Sequence, residues 1–515
     1  MSRERLEEKL ARLEQIALDA DPKVTTRQRS EGKLTARERI EKLLDPQSFV
    51  EEFMLAETPC VDFGMAEKKL PSDGVVTGYG KIDGRPVYVF SQDRAIMAGS
   101  VGSAHAEKIA YVIQTARKLG VPLIGLNDSA GARIQEGLSV TTAIGKIFFE
   151  NSIASGVIPQ ISAIMGPCIG VGSYSPALTD FILMVQNTSQ MFITGPTVIK
   201  EVLGETVTME ELGGAKIHSE FSGVADLVAK NDEECLAMIR RLVGFLPSNF
   251  ESLPPRKKND DDPVRSLDNL EKIVPDDMRR AYNILDVIKA VVDQGDFLEL
   301  KARFARNLVI GLGRLDGCPV GFVANQPMFL AGSLDVDAAD KAARFIRFCD
   351  AFNIPIITLM DVPGFFPGKQ QEQKGIIRHG AKMLYAYAEA TVPKITVILR
   401  KGYGGAKQAM CTREMGADQL YVWPGVELAV MGGGGAVNVL YRREIEQSSN
   451  PEKTREEKIA EYQERFSGPF EALSKQFAHA AIRPRETRRR LIQSLEVLQG
   501  KKEQRPRKKH GLMPV

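Results

Sequence analysis

Two glycine-rich corners hold the residues best placed to do chemistry. Gly170-Val171-Gly172 and Gly404-Gly405-Ala406 each follow an apolar run and open a helical pattern. Small residues at such a corner let a ligand approach the backbone closely. The first N–H groups of a helix have no partner within it, and the peptide dipoles make that end positive. Each corner can therefore hold an anion, or an oxyanion that develops during a reaction. The plainer reading is a tight turn packed against a neighbouring strand.

Other chemistries are not written in this chain. There is no G-x-x-x-x-G-K-[ST] loop, no isolated G-x-G-x-x-G, no H-E-x-x-H pair and no G-x-S-x-G elbow. The histidines are 105, 218, 379, 479 and 510. Ser129 in DSAG and His379 in RHGAK offer a nucleophile and a base, but each reads better as a structural or binding residue. Asp128 and Asp361 end two apolar runs, where their carboxylates are expected to hold the following loop by bonds to its backbone. A site without a base or a nucleophile must work by positioning and by stabilising charge.

The elements that carry the corners occur twice. Residues 78–131 align with 311–364 at a constant offset of 233, as for Gly84 with Gly317, Lys108 with Lys341 and Asp128 with Asp361. Of the 54 aligned positions 18 are identical, against about 6% expected by chance. One residue is then inserted. Pro159 matches Pro393 at an offset of 234, which lays Gly170-Val171-Gly172 on Gly404-Gly405-Ala406. The repeat is domain-sized, so the chain reads as two copies of one fold.

Each copy alternates strand and helix. Asp83-Gly84 predicts a hairpin turn. Residues 103–119 predict a helix capped by Ser103, closed by Gly120 and apolar along Ala106, Ile109, Ala110, Ile113 and Ala116. VPLIGLND (121–128) and PQISAIM (159–165) predict buried strands, with a helix over ALTDFILMV after the first corner. The second copy predicts a helix at 338–352 and strands at 354–361 and 393–399. The stretch 250–280, rich in Pro and charge, reads as the linker. It separates domains expected at 1–255 and 265–515 of an α/β fold with mostly parallel strands.

The bulk properties fit a soluble globular protein of 515 residues, 43% hydrophobic and 26% charged. A net charge of +2 gives no general pull toward nucleic acid. The six cysteines form no C-x-x-C pair, which suits a reducing cytoplasm and argues against a zinc ribbon. Neither a signal peptide nor an 18-residue apolar span is expected. The basic stretch Lys501–His510 is expected to be a solvated tail.

Longer blocks identify a family. DSAGARIQEG, SGVIPQISAIMGPC, EELGGAKIHSEFSGVAD, MDVPGFFPG and GIIRHGAKMLYAYAEATVPKITVILRKGYGGA closely resemble the acyl-CoA carboxyltransferases. The similarity runs from KLTARERIEKLLDP to the KKHGLMPV tail. It implies two tandem crotonase-like domains, the first on the acyl-CoA side and the second on the biotin side, in a homo-oligomer that is usually a hexamer.

The implied reaction moves CO₂ between N1-carboxybiotin and the α-carbon of an acyl-CoA, with no protein base. Gly170, Val171 and Gly172 would serve the thioester enolate; Gly405 and Ala406 would serve the ureido oxygen of biotin. Ser129, Ala130, Gly131, Arg133, Tyr174, Lys407 and Gln408 would border the acyl-CoA, and Pro363, Gly364, Phe365 and Gly404 the biotin. No A-M-K-M motif occurs, so biotin would arrive on a separate carrier protein. A biotin carboxylase subunit, or a membrane decarboxylase subunit, would also be a separate chain.

Four residues depart from the family pattern, Gly172 among them where Ala is usual. Val171 stands where Gly is usual, and a β-branched residue resists positive φ. Lys407 and Gln408 replace Tyr and Asp; they either suit a polar or carboxylated acyl end, or merely point to solvent and resize the pocket. Rival functions are the reverse half-reaction in a sodium-pumping methylmalonyl-CoA or glutaconyl-CoA decarboxylase, a crotonase-like hydratase or isomerase, and a non-catalytic assembly subunit.

Overall fold

The structure is a computed structural model describing residues 2–19, 21–466 and 468–515, apart from the side chains of Val171, Arg465 and Phe466. The chain divides between Ser252 and Leu253 into two units.

Unit 1 opens with helices α1 (Arg3–Leu18), α2 (Pro22–Ser30) and α3 (Ala36–Leu43). Thr35 and Glu38 form a reciprocal capping box that fixes where α3 starts. An eight-stranded sheet follows, in the order β1-β2-β3-β4-β5-β6-β8 with β7 paired to β5. The strands are β1 (Val50–Glu52), β2 (Val75–Ile82), β3 (Arg85–Gln92), β4 (Leu123–Ser129), β5 (Gln160–Ile169), β6 (Phe181–Val185), β7 (Gln190–Phe192) and β8 (Leu227–Ala229). The first three are antiparallel and the rest parallel. Asp83 and Gly84 turn the β2–β3 hairpin at φ of 50° and 77°, the positive values such a two-residue turn demands.

Helices α4 (Ser103–Leu119) and α5 (Leu138–Ala154) pack together over the parallel strands. The predicted stripe of α4 is buried, and Gly120 ends the helix in the left-handed region. Its start differs from expectation. Gly102 is the N-cap, and the Ser103 N–H and hydroxyl donate to Glu136 Oε2 at 2.7 and 2.6 Å. ALTDFILMV also differs: only Tyr174–Ala177 is helical (α6), and Phe181–Val185 is strand β6, buried throughout. A short apolar run fits a buried strand or a buried helix equally by period, and its length favours the strand. Helix α7 (Asp232–Val243) closes the unit, capped by Asn231.

Unit 2 repeats the plan. Its sheet runs β16-β14-β13-β12-β11-β10-β9, with β15 on β13. The strands are β9 (Leu298–Leu300), β10 (Leu308–Leu315), β11 (Cys318–Asn325), β12 (Ile356–Val362), β13 (Lys394–Tyr403), β14 (Gln419–Val422), β15 (Glu427–Ala429) and β16 (Ala480–Ala481). Helices α8 (Val336–Ala351) and α9 (Ile376–Glu389) match α4 and α5, and α10 (Gly404–Ala409) follows β13. Near the C-terminus, α11 (Thr487–Leu498) brings Thr487 Oγ1 within 3.1 Å of Nε1 of Trp423, which donates to it. Trp423 is buried.

Two segments are better ordered than their composition suggests. The stretch 250–280 is no loose tether. Lys257 N–H donates to Gly317 O at 2.9 Å, Asn259 bonds Asp293 at 3.1 Å, and Arg265 pairs with Asp261 at 2.6 Å. The basic stretch Lys501–His510 is exposed from Lys502 onward, as expected of a solvated tail, but side-chain contacts pin it to the domain. Lys501 pairs with Asp418 at 2.8 Å, Arg505 donates to the Glu389 and Ala390 carbonyls at 3.3 and 3.2 Å, and Lys508 pairs with Glu389. Carbonyls at a helix C-terminus attract cations, and α9 ends here.

The repeat also matches two buried lysines. Lys108 donates to the carbonyls of Ser72 and Val75 at 3.0 and 2.5 Å. Lys341 donates among those of Lys301, Phe304, Ala305 and Leu308 at 2.7 to 3.3 Å. No described helix is long and apolar enough to cross a membrane.

Candidate active site

Each corner forms where a buried strand meets a helix. In unit 1, β5 runs into a short 3₁₀ turn over Gly170–Ser173 and then α6. In unit 2, β13 runs directly into α10. Gly170 and Gly404 turn the chain with φ of 62° and 56°, where a side chain is disfavoured. Added Cβ atoms on Gly172 and on Gly405 would meet nothing within 4 Å. Gly405 and Ala406 lie in the first turn of α10, whose N–H groups have no acceptor within the helix, and Gly172 lies in the 3₁₀ turn before α6. Gly172 and Gly405 thus border open space, and the first-turn amides of α10 are donors of the kind a developing oxyanion requires. The Val171 side chain lies outside the described residues.

The rest of each site comes from loops after neighbouring strands. In unit 1, Gly131 lies against the end of β5, where a Cβ would come within 3.0 Å of Ile169 O. The same loop bridges Val101, whose N–H donates to Gly131 O at 2.8 Å, while Arg133 N–H donates back to Val101 O at 2.9 Å. Unit 2 reproduces this around Pro363, Gly364 and Phe365. Leu334 N–H donates to Gly364 O at 3.1 Å, and Phe366 N–H donates to Leu334 O at 2.7 Å. A further pair of segments was not singled out from the sequence. Met97-Ala98-Gly99 and Leu330-Ala331-Gly332 all have positive φ, which is strained at the non-glycine positions. The shared Ala-Gly-Ser at 98–100 and 331–333 is the signal that points to them.

The individual candidates sort clearly. The Ser129 hydroxyl donates to Gly99 O at 2.6 Å and accepts from Gly131 N–H at 3.1 Å, so it holds the loop. Ala130 is exposed beside it. Arg133 is buried, with Nη1 at 2.6 Å from Asp73 and 3.0 Å from Glu136 and Nη2 donating to Ser100 O at 2.8 Å. It therefore shapes the loop from inside. Tyr174 is 48% exposed, with its ring edge-to-face with Phe148. His379 Nδ1 lies 2.8 Å from both oxygens of Asp340, and Nε2 lies 3.1 Å from Arg378 Nη2. Lys382 Nζ lies 3.1 Å from Nδ1 as well, so the ring is held within a charged cluster.

Lys407 does not simply point to solvent. It is half-buried at the wall of a cavity of about 440 Å³ beside the second corner, with Leu428, Val430, Tyr462, Phe477 and Glu471. Glu471 Oε2 has no hydrogen-bond partner there. Gln408 Oε1 accepts from the Thr412 hydroxyl at 2.5 Å, which turns it along α10.

Contrary to expectation, Asp128 and Asp361 do not hold the following loops by backbone bonds; each carboxylate sits instead in a buried cluster of side chains from elsewhere. Asp128 Oδ2 meets Lys33 at 2.7 Å and Arg39 at 3.2 Å, with Arg94 at 3.5 Å from Oδ1. Arg39 also pairs with Asp232 at 2.8 Å. Asp361 meets Arg400 at 2.9 Å, accepts from the Tyr282 hydroxyl at 3.0 Å and accepts from Lys401 N–H at 3.2 Å. A buried carboxylate needs opposite charge as well as hydrogen bonds. The counter-charges lie far off in sequence, which hid them. Among the described residues, no group of His, Cys, Asp or Glu could hold a metal ion.

The comparisons with known proteins agree with this geometry. The carboxyl transferase domain model matches residues 27–513. The chain belongs to that family. It is 55% identical over 88% of its length to the carboxyltransferase subunit of propionyl-CoA carboxylase from Haloferax mediterranei, covering 88% of that protein. It is 48% identical to the α subunit of methylmalonyl-CoA decarboxylase from Propionigenium modestum, covering 98% of this chain and 97% of the other. It also superposes on the crystal structure of transcarboxylase 12S, a hexamer with methylmalonyl-coenzyme A and methylmalonic acid bound. The TM-score is 0.97 at 48% identity, over 100% of this chain and 99% of that one. Each unit is accordingly crotonase-like, and the enzyme is a biotin-dependent carboxyltransferase.

Proposed function

We propose that this chain transfers CO₂ between carboxybiotin on a separate carrier protein and the α-carbon of a short acyl-CoA, the propionyl-CoA and methylmalonyl-CoA pair. The observation that carries the reading is the matched pair of strand-to-helix corners, each with open space at a glycine, Gly172 in one and Gly405 in the other. Relatives named for propionyl-CoA and methylmalonyl-CoA support the choice of acyl group.

The Gly172 amide at the first corner binds the thioester oxygen and gains strength as that oxygen becomes an enolate. The Gly405 and Ala406 amides at the second corner bind the ureido oxygen of biotin. The fit rests on Gly405, whose missing Cβ leaves the approach clear. Biotin, when bound, supplies the carboxyl group and a ureido base, so no side chain of the protein need take the α-proton. The loops at Gly131 and Gly364 orient the two substrates and keep water from them. Lys407 and Gln408 border the acyl pocket.

Direction is set by the partner. A biotin carboxylase subunit would drive carboxylation, and a membrane subunit would drive decarboxylation. The P. modestum relative, matched nearly end to end, keeps the second setting as an alternative for the same site.

The test is carboxyl exchange from methylmalonyl-CoA to free biotin by the purified chain. Gly172→Leu and Gly405→Leu should each lower kcat by about 10²–10³ while leaving the fold intact, the loss expected when one oxyanion site is blocked. Activity that survives both substitutions, or faster exchange from glutaconyl-CoA than from methylmalonyl-CoA, would refute the reading.

A further inference from the structure

The two corners share a backbone plan but are held by different side chains. The offset of 234 lays Cys168 on Gly402 and Ser173 on Lys407. In unit 1, Ser173 Oγ lies 2.8 Å from Cys168 O and 3.0 Å from Phe192 O. Its one proton is shared between the ends of β5 and β7. Ser173 is only 3% exposed. The Cys168 thiol donates to Gly172 O at 3.4 Å. Burial pushes that thiol up to about 12, so it keeps its proton. Unit 2 has neither group. A Cβ at Gly402 would come within 3.4 Å of Lys407 Cγ, so the lysine stem lies where unit 1 carries its thiol. Lys407 itself lines the cavity beside the second corner.

Gly170 is glycine because its φ of 62° requires it. Gly172 is a different case. Its φ is not positive, and an added Cβ would meet nothing within 4 Å. Neither conformation nor packing within the fold calls for glycine there. Its small size keeps the approach to its amide clear, but it also loosens the backbone at the donor. An oxyanion donor works by being fixed in advance, and a shift of about 1 Å can lower a rate about 10²-fold. The Ser173 hydroxyl, one residue on, offsets that looseness. It ties the turn to two strands that pair through Cys168 with Met191 and Ile169 with Phe192.

We infer that Ser173 is a positioning residue that holds the Gly172 amide in place for the thioester oxygen as it becomes an enolate. This role rests on the assignment of the first corner to the acyl-CoA. Lys407 gives the second corner no such tie, so the effect belongs to the acyl-CoA side alone.

The experiment is Ser173→Ala in the full-length protein. It should lower kcat for carboxyl exchange from methylmalonyl-CoA to free biotin about tenfold. KM for both substrates should stay within about twofold, the pattern of a bond that matters only in the transition state. Binding separates this from a loss of fold. 2-Nitropropionyl-CoA, whose anion places negative charge on the thioester oxygen, should bind the variant about tenfold more weakly. Propionyl-CoA should bind it as it binds wild type. Ser173→Cys keeps a weaker donor and should fall between the two proteins. It carries the same two-ligand comparison should the alanine variant not fold. Wild-type kcat in Ser173→Ala, or equal weakening of both ligands, would overturn the inference and leave the enolate assignment standing. Absence of exchange in the wild-type protein would instead remove that assignment, and the inference with it.

Discussion

Asp128 and Asp361 hold the same place in the two copies of the fold, yet their charges are balanced from different directions. Asp128 draws Lys33 and Arg39 from the N-terminal helical segment, 95 and 89 residues away. Asp361 draws Arg400 from the neighbouring strand β13 and a hydroxyl from Tyr282. The residue matching Arg400 at the offset of 234 is Gly166, and the Asp128 carboxylate fills the space its Cβ would take. A duplicated fold can therefore keep a buried acid while replacing the source of its counter-charge. In unit 1 the N-terminal helices become part of the core by this route. In unit 2 the sheet supplies its own cation.

The largest test of that difference is Arg39→Leu. It leaves Asp128 and Asp232 without their shared guanidinium, a loss of about 3–5 kcal/mol for a broken buried pair. Hydrogen exchange should show unit 1 losing protection while unit 2 keeps it. Equal loss in both units would break the comparison. Arg400→Leu is the mirror experiment. Tyr282 and Lys401 remain on Asp361, so the loss should be about 1.5–3 kcal/mol, the range for a charged hydrogen bond. Here unit 2 should lose the protection.

Gly166→Ala sharpens the same point from the other side. The methyl group must displace the Asp128 carboxylate, an overpacking of about 1–3 kcal/mol. Combining it with Arg39→Leu should cost less than the two separate losses together, because both disturb one carboxylate. Strict additivity of the denaturant midpoints would disconnect them.

The smallest effect concerns the paired lysines. Burial pushes Lys108 down to about 8 and Lys341 down to about 7, from an ordinary value of 10.5. Between those folded values and 10.5 the unfolded chain binds protons that the folded chain has released, so these groups make stability rise with pH across that window. Lys341→Met should flatten the rise between pH 7 and 10.5, measured as denaturant midpoint against pH. A slope identical to wild type would exclude Lys341 as its source.

Much of the fold was legible because periodicity and repetition are local or self-referential. The α4 stripe, the Asp83-Gly84 turn and the paired corners all follow from spacing. The Phe181–Val185 run was misread because a short apolar segment satisfies two periods. The counter-charges of Asp128 were hidden because Lys33 and Arg39 sit in a polar, helical stretch that looks wholly solvated, although Arg39 is fully buried. The tail looked free because its charge is high, and its carbonyl and carboxylate partners lie more than 80 residues back. Of the candidate site residues, the glycines were found through the repeat, whereas the inward turn of Arg133 depends on Asp73 and Glu136, which only the folded loop brings to it.

Trp423 is the chain's single tryptophan, and it sits buried against Thr487 in unit 2. Intrinsic indole emission is therefore a one-sided witness. A melt followed at that wavelength would trace the second half of the molecule and stay silent about the first. Comparing it with a far-ultraviolet dichroism melt, which registers both halves, would separate their transitions without any label.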